Sequence, residues 1–302
     1  MKRISALLLL GLATLPALAQ KTNQKNTLLW KISGNGIEKP SYLFGTIHML
    51  CKQDAFLGDN LVKAIDKADK VYLELDLDNL FELLGIMTKM KMRNDTTLAD
   101  LLTPEEYQKI KTHFEKNVSM LPFSVLETYK PLVASSLLME SAVVCDEQVA
   151  MEQLVMEEAK KKGKKIEGLE TMAYQMSMFD SIPYKIQAQE LYKNIADNGK
   201  TENETNKELN SMMQAYREQD LDKLGEMIAK SDEGMMQYED ILLNNRNRNW
   251  VVKLKSILQD KSLVIAVGAG HLPGEKGLIN LLRKEGYKVT PVENKVGGVR
   301  EI

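Results

Sequence analysis

The chain has 302 residues, with 40 basic side chains against 42 acidic ones and a formal net charge of −2 at pH 7. That near-balance excludes the strongly basic kind of nucleic-acid binder. The length suits one large domain or two small ones.

The amino terminus reads as an export signal rather than as part of the fold. Lys2 and Arg3 precede an apolar run over residues 6–15 that Pro16 breaks, and Ala17-Leu18-Ala19 fits small-x-small cleavage before Gln20. The run is short for a membrane span, Gln20 and not a cysteine stands directly after the expected cleavage point, which disfavours a lipid-modified terminus, and no further long apolar segment occurs. The expectation is a signal peptide over residues 1–19, a mature periplasmic chain over 20–302 forming one domain, and no stable membrane anchor. Cys51 and Cys145 are the only cysteines. In an oxidising compartment an even pair points to one disulfide. A metal site shared with the nearby His48, or two buried thiols, are the alternatives.

Residues 28–32 read as a strand, and Ser33-Gly34-Asn35-Gly36 as the turn of a paired hairpin. Residues 40–47 are the return strand, which delivers His48. Over 59–69, Leu61, Ala64, Ile65 and Ala68 fall at helical spacing. Residues 70–76 follow as a strand with Val71, Leu73 and Leu75 on one face and Tyr72, Glu74 and Asp76 on the other. Strand, helix, strand opens an α/β layout.

From about residue 79 the pattern turns helical. Residues 80–92 are apolar and Met-rich on one face, and Thr103-Pro104-Glu105-Glu106 is a capping box that starts a helix carrying His113. Further helices are expected over 131–144 and 149–162, then over 171–196 with a break at Pro183. A short strand over 165–171 ends in Glu170. After a polar loop at 197–205, two or three helices follow over 209–228 and 235–258, the second span with Arg246-Asn247-Arg248-Asn249-Trp250. Residues 263–267 are a continuous apolar run, as in a strand buried on both faces. A glycine-rich turn over 268–274 holds His271, a helix over 275–285 ends at Gly286, and 287–292 is a last strand. The fold class is therefore α/β: a mixed central sheet formed by the N- and C-terminal segments, with a large, mostly helical insertion over about 79–258.

Two of the three histidines share one setting. Gly45-Thr46-Ile47-His48 and Gly268-Ala269-Gly270-His271 each follow an apolar strand with Gly-x-x-His. Glycine permits a sharp turn and close approach to the backbone, and strand carboxyl ends are where α/β folds place their sites. Imidazole is suited to proton transfer near neutral pH and to metal binding. The expectation is that both strand ends meet in one site; the alternative is two turn histidines capping local backbone. Two histidines need a carboxylate to make a first-row metal site or an acid/base site. Glu74, Asp76 and Glu170 are the candidates, and Glu74 is the best placed. Glu170 reads equally as a helix-start carboxylate. His113 has no assigned role.

Gly268, Gly270 and Gly274 form a dinucleotide-like loop one residue too long, with no acidic residue placed for a ribose. No HExxH, Walker loop, Gly-x-Ser-x-Gly or Cys-x-x-Cys occurs. The 17 methionines read as flexible core fillers.

Taken together, Tyr42-Leu43-Phe44-Gly45-Thr46-Ile47-His48, Leu73-Glu74-Leu75-Asp76, Gly168-Leu169-Glu170-Thr171, Arg246-Asn247 and Val267-Gly268-Ala269-Gly270-His271-Leu272-Pro273-Gly274 resemble the TraB/GumN family over about 27–292. That family is similar to the Tiki metalloproteases and, more distantly, to the erythromycin esterases and the haem-binding ChaN proteins. The resemblance implies an α/β core with a helical insertion and a metal-dependent peptidase. His48, His271 and Glu74 would hold the ion (manganese or cobalt, with zinc also open), and Glu170 and Arg246 would orient ligands or stabilise oxyanion charge. Glu74 is a ligand or the base. The substrate would be a peptide or small molecule. The runner-up reading is a non-catalytic periplasmic protein that sequesters a peptide or haem on the same residues; a decayed site is the third.

Overall fold

The structure is a computed structural model that describes residues 26–78, 85–86, 88–117, 121–143, 145–196, 202–230 and 237–295. The signal peptide expected over 1–19 and much of the helix expected over 80–92 lie outside these residues. The strands are β1 (Leu29–Ser33), β2 (Ser41–Thr46), β3 (Leu50–Cys51), β4 (Lys70–Leu73), β5 (Gln148–Val149), β6 (Lys165–Gly168), β7 (Leu263–Gly268) and β8 (Lys288–Val292). Six of them form one mixed sheet in the order β6-β4-β7-β2-β1-β8, while β3 and β5 pair separately. β1 and β2 form the expected antiparallel hairpin. Its turn takes left-handed backbone at Gly34 (φ 78°), Asn35 (φ 50°) and Gly36 (φ 81°), which glycine and asparagine accommodate most readily.

β2, β7, β4 and β6 all run parallel, so their carboxyl ends share one edge of the sheet. In register, Thr46 faces Gly268 and Leu73 lies between Ala266 and Gly168. β7 is the middle of this group, and Leu263 to Val267 are fully buried, as their unbroken apolar run requires.

The helices are α1 (Asp59–Lys67), α2 (Leu98–Leu101), α3 (Pro104–Asn117), α4 (Phe123–Leu126), α5 (Pro131–Ala142), α6 (Met151–Lys161), α7 (Met172–Phe179), α8 (Tyr184–Ala196), α9 (Glu202–Arg217), α10 (Leu221–Lys230), α11 (Asn245–Ile257) and α12 (Leu278–Lys284). Ile65 of α1, Val155 of α6, Leu254 of α11 and Leu282 of α12 pack into one core with the sheet. A second core belongs to the insertion, where Leu98, Ile110, Phe114, Phe123, Ala134 and Leu191 meet away from the sheet. The capping box forms as read: Glu106 N donates to Thr103 Oγ1 at 3.3 Å, and Thr103 N to Glu106 Oε2 at 2.8 Å.

Four boundaries differ from the sequence reading. β4 stops at Leu73, so Glu74 is the first residue beyond the strand rather than a member of it. The strand expected over 165–171 within the mostly helical insertion stops at Gly168, as β6, and joins the sheet edge beside β4. The helix expected over 209–228 breaks at Gln219 (φ 54°). There the Gln219 side chain receives Leu28 N at 3.3 Å and donates to Asn294 O at 2.6 Å, bonds that a continuous helix would forgo. The last helix begins at Leu278, after left-handed Gly274.

Cys51 and Cys145 form the expected disulfide, with Cα atoms 5.9 Å apart. It ties β3 to the segment leading into β5. Among the described residues, no helix is long and apolar enough to cross a membrane.

Candidate functional site

The two Gly-x-x-His units do meet. They end adjacent parallel strands, and Gly45 lets the second loop lie across the first. A Cβ on Gly45 would fall 2.9 Å from Leu272 Cδ1 and 3.2 Å from the Ala269 Cα, so the second loop would have to give way. Gly268 also works through close approach: its N–H donates to Glu74 Oε1 at 2.8 Å. No phosphate-binding role is needed to explain the loop's glycines.

His271 is buried, 4% exposed, against Trp250 with ring centroids 4.5 Å apart. Its Nδ1 lies 2.7 Å from Asn247 Oδ1. The Asn247 amide donates to Lys276 O at 3.0 Å, which orients Oδ1 toward the ring as an acceptor. His271 therefore carries its proton on Nδ1 and presents the Nε2 lone pair, 3.7 Å from Glu74 Oε1. Burial pulls the His271 pKa down to about 4 against the attraction of Glu74, with Arg246 and His48 adding to the fall. The ring is neutral at pH 7. For Glu74, burial works upward, but His271, the Arg246 guanidinium and the Gly268 amide outweigh it and hold the carboxyl at about 2.

Arg246 is the hub of the cluster. Its Nε donates to Glu170 Oε1 at 3.0 Å, and its Nη2 to Glu170 Oε1 at 2.5 Å and Glu74 Oε2 at 2.5 Å. Nη1 donates to Leu242 O at 3.2 Å and to His271 Nε2 at 3.1 Å. A guanidinium has five N–H donors, and these partners engage all of them, so Arg246 has none left for an oxyanion in this arrangement. Glu170 accepts a further bond from Trp250 Nε1 at 3.1 Å. Its pKa is raised by burial, against the pull of Arg246. Glu170 thus faces the cluster instead of merely capping the helix that follows it. Asp76, the remaining carboxylate candidate, accepts the Asp78 N–H at 3.1 Å in a local turn.

His48 stands differently. Its side chain is 73% exposed, and Nδ1 lies 3.0 Å from Oε1 of the buried Glu152. Thr46 Oγ1 donates to the same oxygen at 2.6 Å. The hydrogen bond to Glu152 raises the His48 pKa to about 9. His113, on α3, bonds within its own helix to Asn117 and stays outside the site.

Among the described residues, no three of His, Cys, Asp and Glu converge as a complete set of metal ligands. The donor chemistry nevertheless suits a divalent cation. His271 offers a neutral Nε2 whose ring is oriented by a side-chain acceptor, as in metal-ligating histidines. Glu74 is ionised and its Oε1 faces that nitrogen. His48 sits at the end of the neighbouring strand with Nδ1 engaged by Glu152, and its Nε2 becomes a donor to a cation once it gives up the proton that the raised pKa keeps on the ring. Two protons compete with a cation: the Arg246 Nη1 proton on His271 Nε2 and, at neutral pH, the Nε2 proton of His48.

The matching family model, the TraB/PrgY/gumN family, spans residues 28–291. The chain belongs to the TraB/PrgY/gumN family. It is 21% identical to Metalloprotease TIKI2 of Danio rerio across 90% of this chain and 62% of that protein. It is 23% identical to Metalloprotease TIKI1 of Danio rerio across 87% of this chain and 63% of that protein. Metalloprotease TIKI1 of Xenopus tropicalis is 30% identical over 106 residues, 35% of this chain. The chain thus spans about three fifths of the length of the fish relatives, 62% and 63%. No solved structure matches it.

In this TraB/PrgY/gumN chain, Glu74, Glu170, Arg246 and His271 form one bonded cluster, with His48 on its exposed flank. Asn247 and Trp250 stand in sequence stretches singled out above but had no role assigned, and Glu152 was not singled out at all. Arg246 and Trp250, four apart on α11, share a helix face with each other, which is a readable signal; Glu152 left none.

Proposed function

We propose that this chain is an exported, metal-dependent hydrolase acting on peptides, with His48, Glu74 and His271 as the metal ligands. The observation that carries this reading is His271, buried and neutral, its Nδ1–H held by Asn247 and its Nε2 facing an ionised Glu74. When bound, a divalent ion such as manganese, cobalt or zinc supplies Lewis acidity and a water of lowered pKa. The relatives named as metalloproteases support the class, and the disulfide and the leader over 1–19 support export, with 20–302 working as one unit.

The two buried carboxylates divide the remaining work. Glu74, held at about 2, stays ionised and is a weak base, which suits a ligand. Glu170, whose proton affinity burial raises, suits proton transfer. Arg246 keeps the two carboxylates at fixed positions and neutralises part of their charge in a site of low polarity.

The test is to titrate the purified protein with Mn, Co and Zn by calorimetry and to follow cleavage of a peptide library. Glu74→Gln and His271→Ala should lose metal affinity and turnover together. Glu170→Gln should keep metal affinity and lose turnover. Unchanged cleavage in His271→Ala sinks the proposal, and tight peptide or haem binding by wild type with no cleavage of any peptide favours a sequestering protein instead.

A further inference from the structure

We propose that Glu152 is the positioning residue of His48, holding its Nδ1–H so that Nε2 is the nitrogen presented to the site, as Asn247 does for His271. The two histidines are held in the same way from different helices. His48 Nδ1 is 3.0 Å from Glu152 Oε1, and His271 Nδ1 is 2.7 Å from Asn247 Oδ1. Glu152 Oε1 already accepts the Thr46 hydroxyl and lies opposite the His48 ring nitrogen as a second acceptor contact, so the proton between Glu152 and His48 sits on the ring nitrogen. The tautomer follows from the acceptor in both cases.

Three features prepare Glu152 for this role. Although it is 8% exposed, Glu152 lies in the first turn of α6, where the helix dipole favours a negative charge. Thr46, inside the first Gly-x-x-His unit, donates its hydroxyl to the same Oε1 and so fixes the carboxylate's rotation. The corresponding residue of the second unit is Ala269, which has no hydroxyl, and there the acceptor is an amide. Finally, the backbone between the partners is pinned: Met151 N donates to Ile47 O at 3.0 Å, β3 pairs with β5, and the Cys51–Cys145 disulfide closes the same corner. The segment carrying His48 and the start of α6 therefore move as one piece.

The inference rests on the reading of His48 as a ligand, yet its first readout is independent of metal. In full-length protein with ¹⁵N-labelled histidine, spectra taken above the pH at which His48 loses its charge report which ring nitrogen carries the proton. Assignment uses His48→Ala and His113→Gln. Wild type should show His48 and His271 both protonated on Nδ1. Glu152→Ala should shift the His48 ring toward the Nε2–H form, leave the His271 signals in place, and weaken Co or Mn binding by about 10–100-fold. Glu152→Gln, which keeps an acceptor oxygen, should restore most of the Nδ1–H form.

A wild-type His48 in the Nε2–H form overturns the proposal even if no variant folds. So does a Glu152→Ala protein whose His48 spectrum matches wild type. An Nδ1–H ring in a protein that binds no metal leaves the role of Glu152 standing and removes the metal reading alone.

Discussion

The two Gly-x-x-His corners are alike in sequence and opposite in surroundings. His271 is walled in by Trp250 and Arg246, its Nδ1–H goes to a neutral amide, and burial keeps it uncharged at pH 7. His48 is open to solvent and bonded to a carboxylate, which favours the imidazolium. The motif sets where along the strand edge each ring sits. The group that a neighbouring helix brings to Nδ1 sets the charge of that ring. A site with one neutral and one basic histidine is therefore built from two copies of one local pattern.

The sharpest way to break the buried corner is to remove its cation. Arg246→Met leaves Glu74 and Glu170 without the guanidinium they share. Stripping one partner from a buried ionic cluster costs about 3–5 kcal/mol, read as a shift in the urea midpoint at constant slope. A wild-type midpoint would mean that the two carboxylates find water instead, and that the corner is less closed than its burial indicates.

The exposed corner depends on covalent support. Replacing Cys51 and Cys145 by serine opens a cross-link between residues 94 apart. The expected loss is about 2–5 kcal/mol, most of it from freeing the unfolded chain. Hydrogen exchange should speed up around β3, β5 and His48 while the amides around His271 keep their protection. Equal deprotection at both corners would show that the clamp is global.

Acid should strike the buried corner first. The folded pKa of His271, about 4, lies below its ordinary 6.5, so the unfolded chain takes up that proton earlier as pH falls. Stability of the metal-free protein should drop between pH 6.5 and pH 4, by up to roughly 3 kcal/mol from this group. Glu74, depressed from 4.5 to about 2, extends the acid loss below pH 4.5. His48 has the opposite sign. Its pKa is raised from 6.5 to about 9, so its contribution is complete below 6.5 and fades as pH rises through 9. His48→Ala should abolish the alkaline fade and leave the acid slope.

The smallest effect separates the corners by stability alone. His48→Ala removes an ion pair that is exposed on its histidine side and leaves the buried Glu152 its bond from Thr46, so about 1 kcal/mol or less is expected. His271→Ala strands buried donors and acceptors on Arg246 and Asn247, at about 1–3 kcal/mol each. Thermal denaturation of the two variants at pH 7 should rank them in that order. The reverse order would place His48 in a more enclosed setting than its exposure shows.

Local pattern was a good guide wherever the physics was local. β7 was legible because an unbroken apolar run of strand length suits a sheet position buried on both faces. The helix at Pro104 was legible because its cap lies within four residues. Both histidines were legible because they follow strand ends, and Glu74 and Glu170 because they lie near strand ends, although the alternation ran each strand past its glutamate and β4 and β6 stop short of them. The break at Gln219 was not, because the side-chain bonds that stabilise it reach Leu28 and Asn294 at the two ends of the sheet. Glu152 was not, because a glutamate in the first turn of an amphipathic helix looks like any solvated charge, and its partner Thr46 is 106 residues away.

By itself, the sequence determined that two apolar strands would each run into Gly-x-x-His, that a glutamate would close a third strand, and that a disulfide was available. These follow from side-chain periodicity, the turning freedom of glycine and the count of cysteines. Only the tertiary structure decided that Arg246 spends every donor on the cluster, that Asn247 and Glu152 choose the tautomers, and that one histidine is neutral while the other is basic. Charge and proton placement depend on distances between groups as far apart in the chain as the 172 residues separating Glu74 from Arg246, and no local pattern encodes those distances.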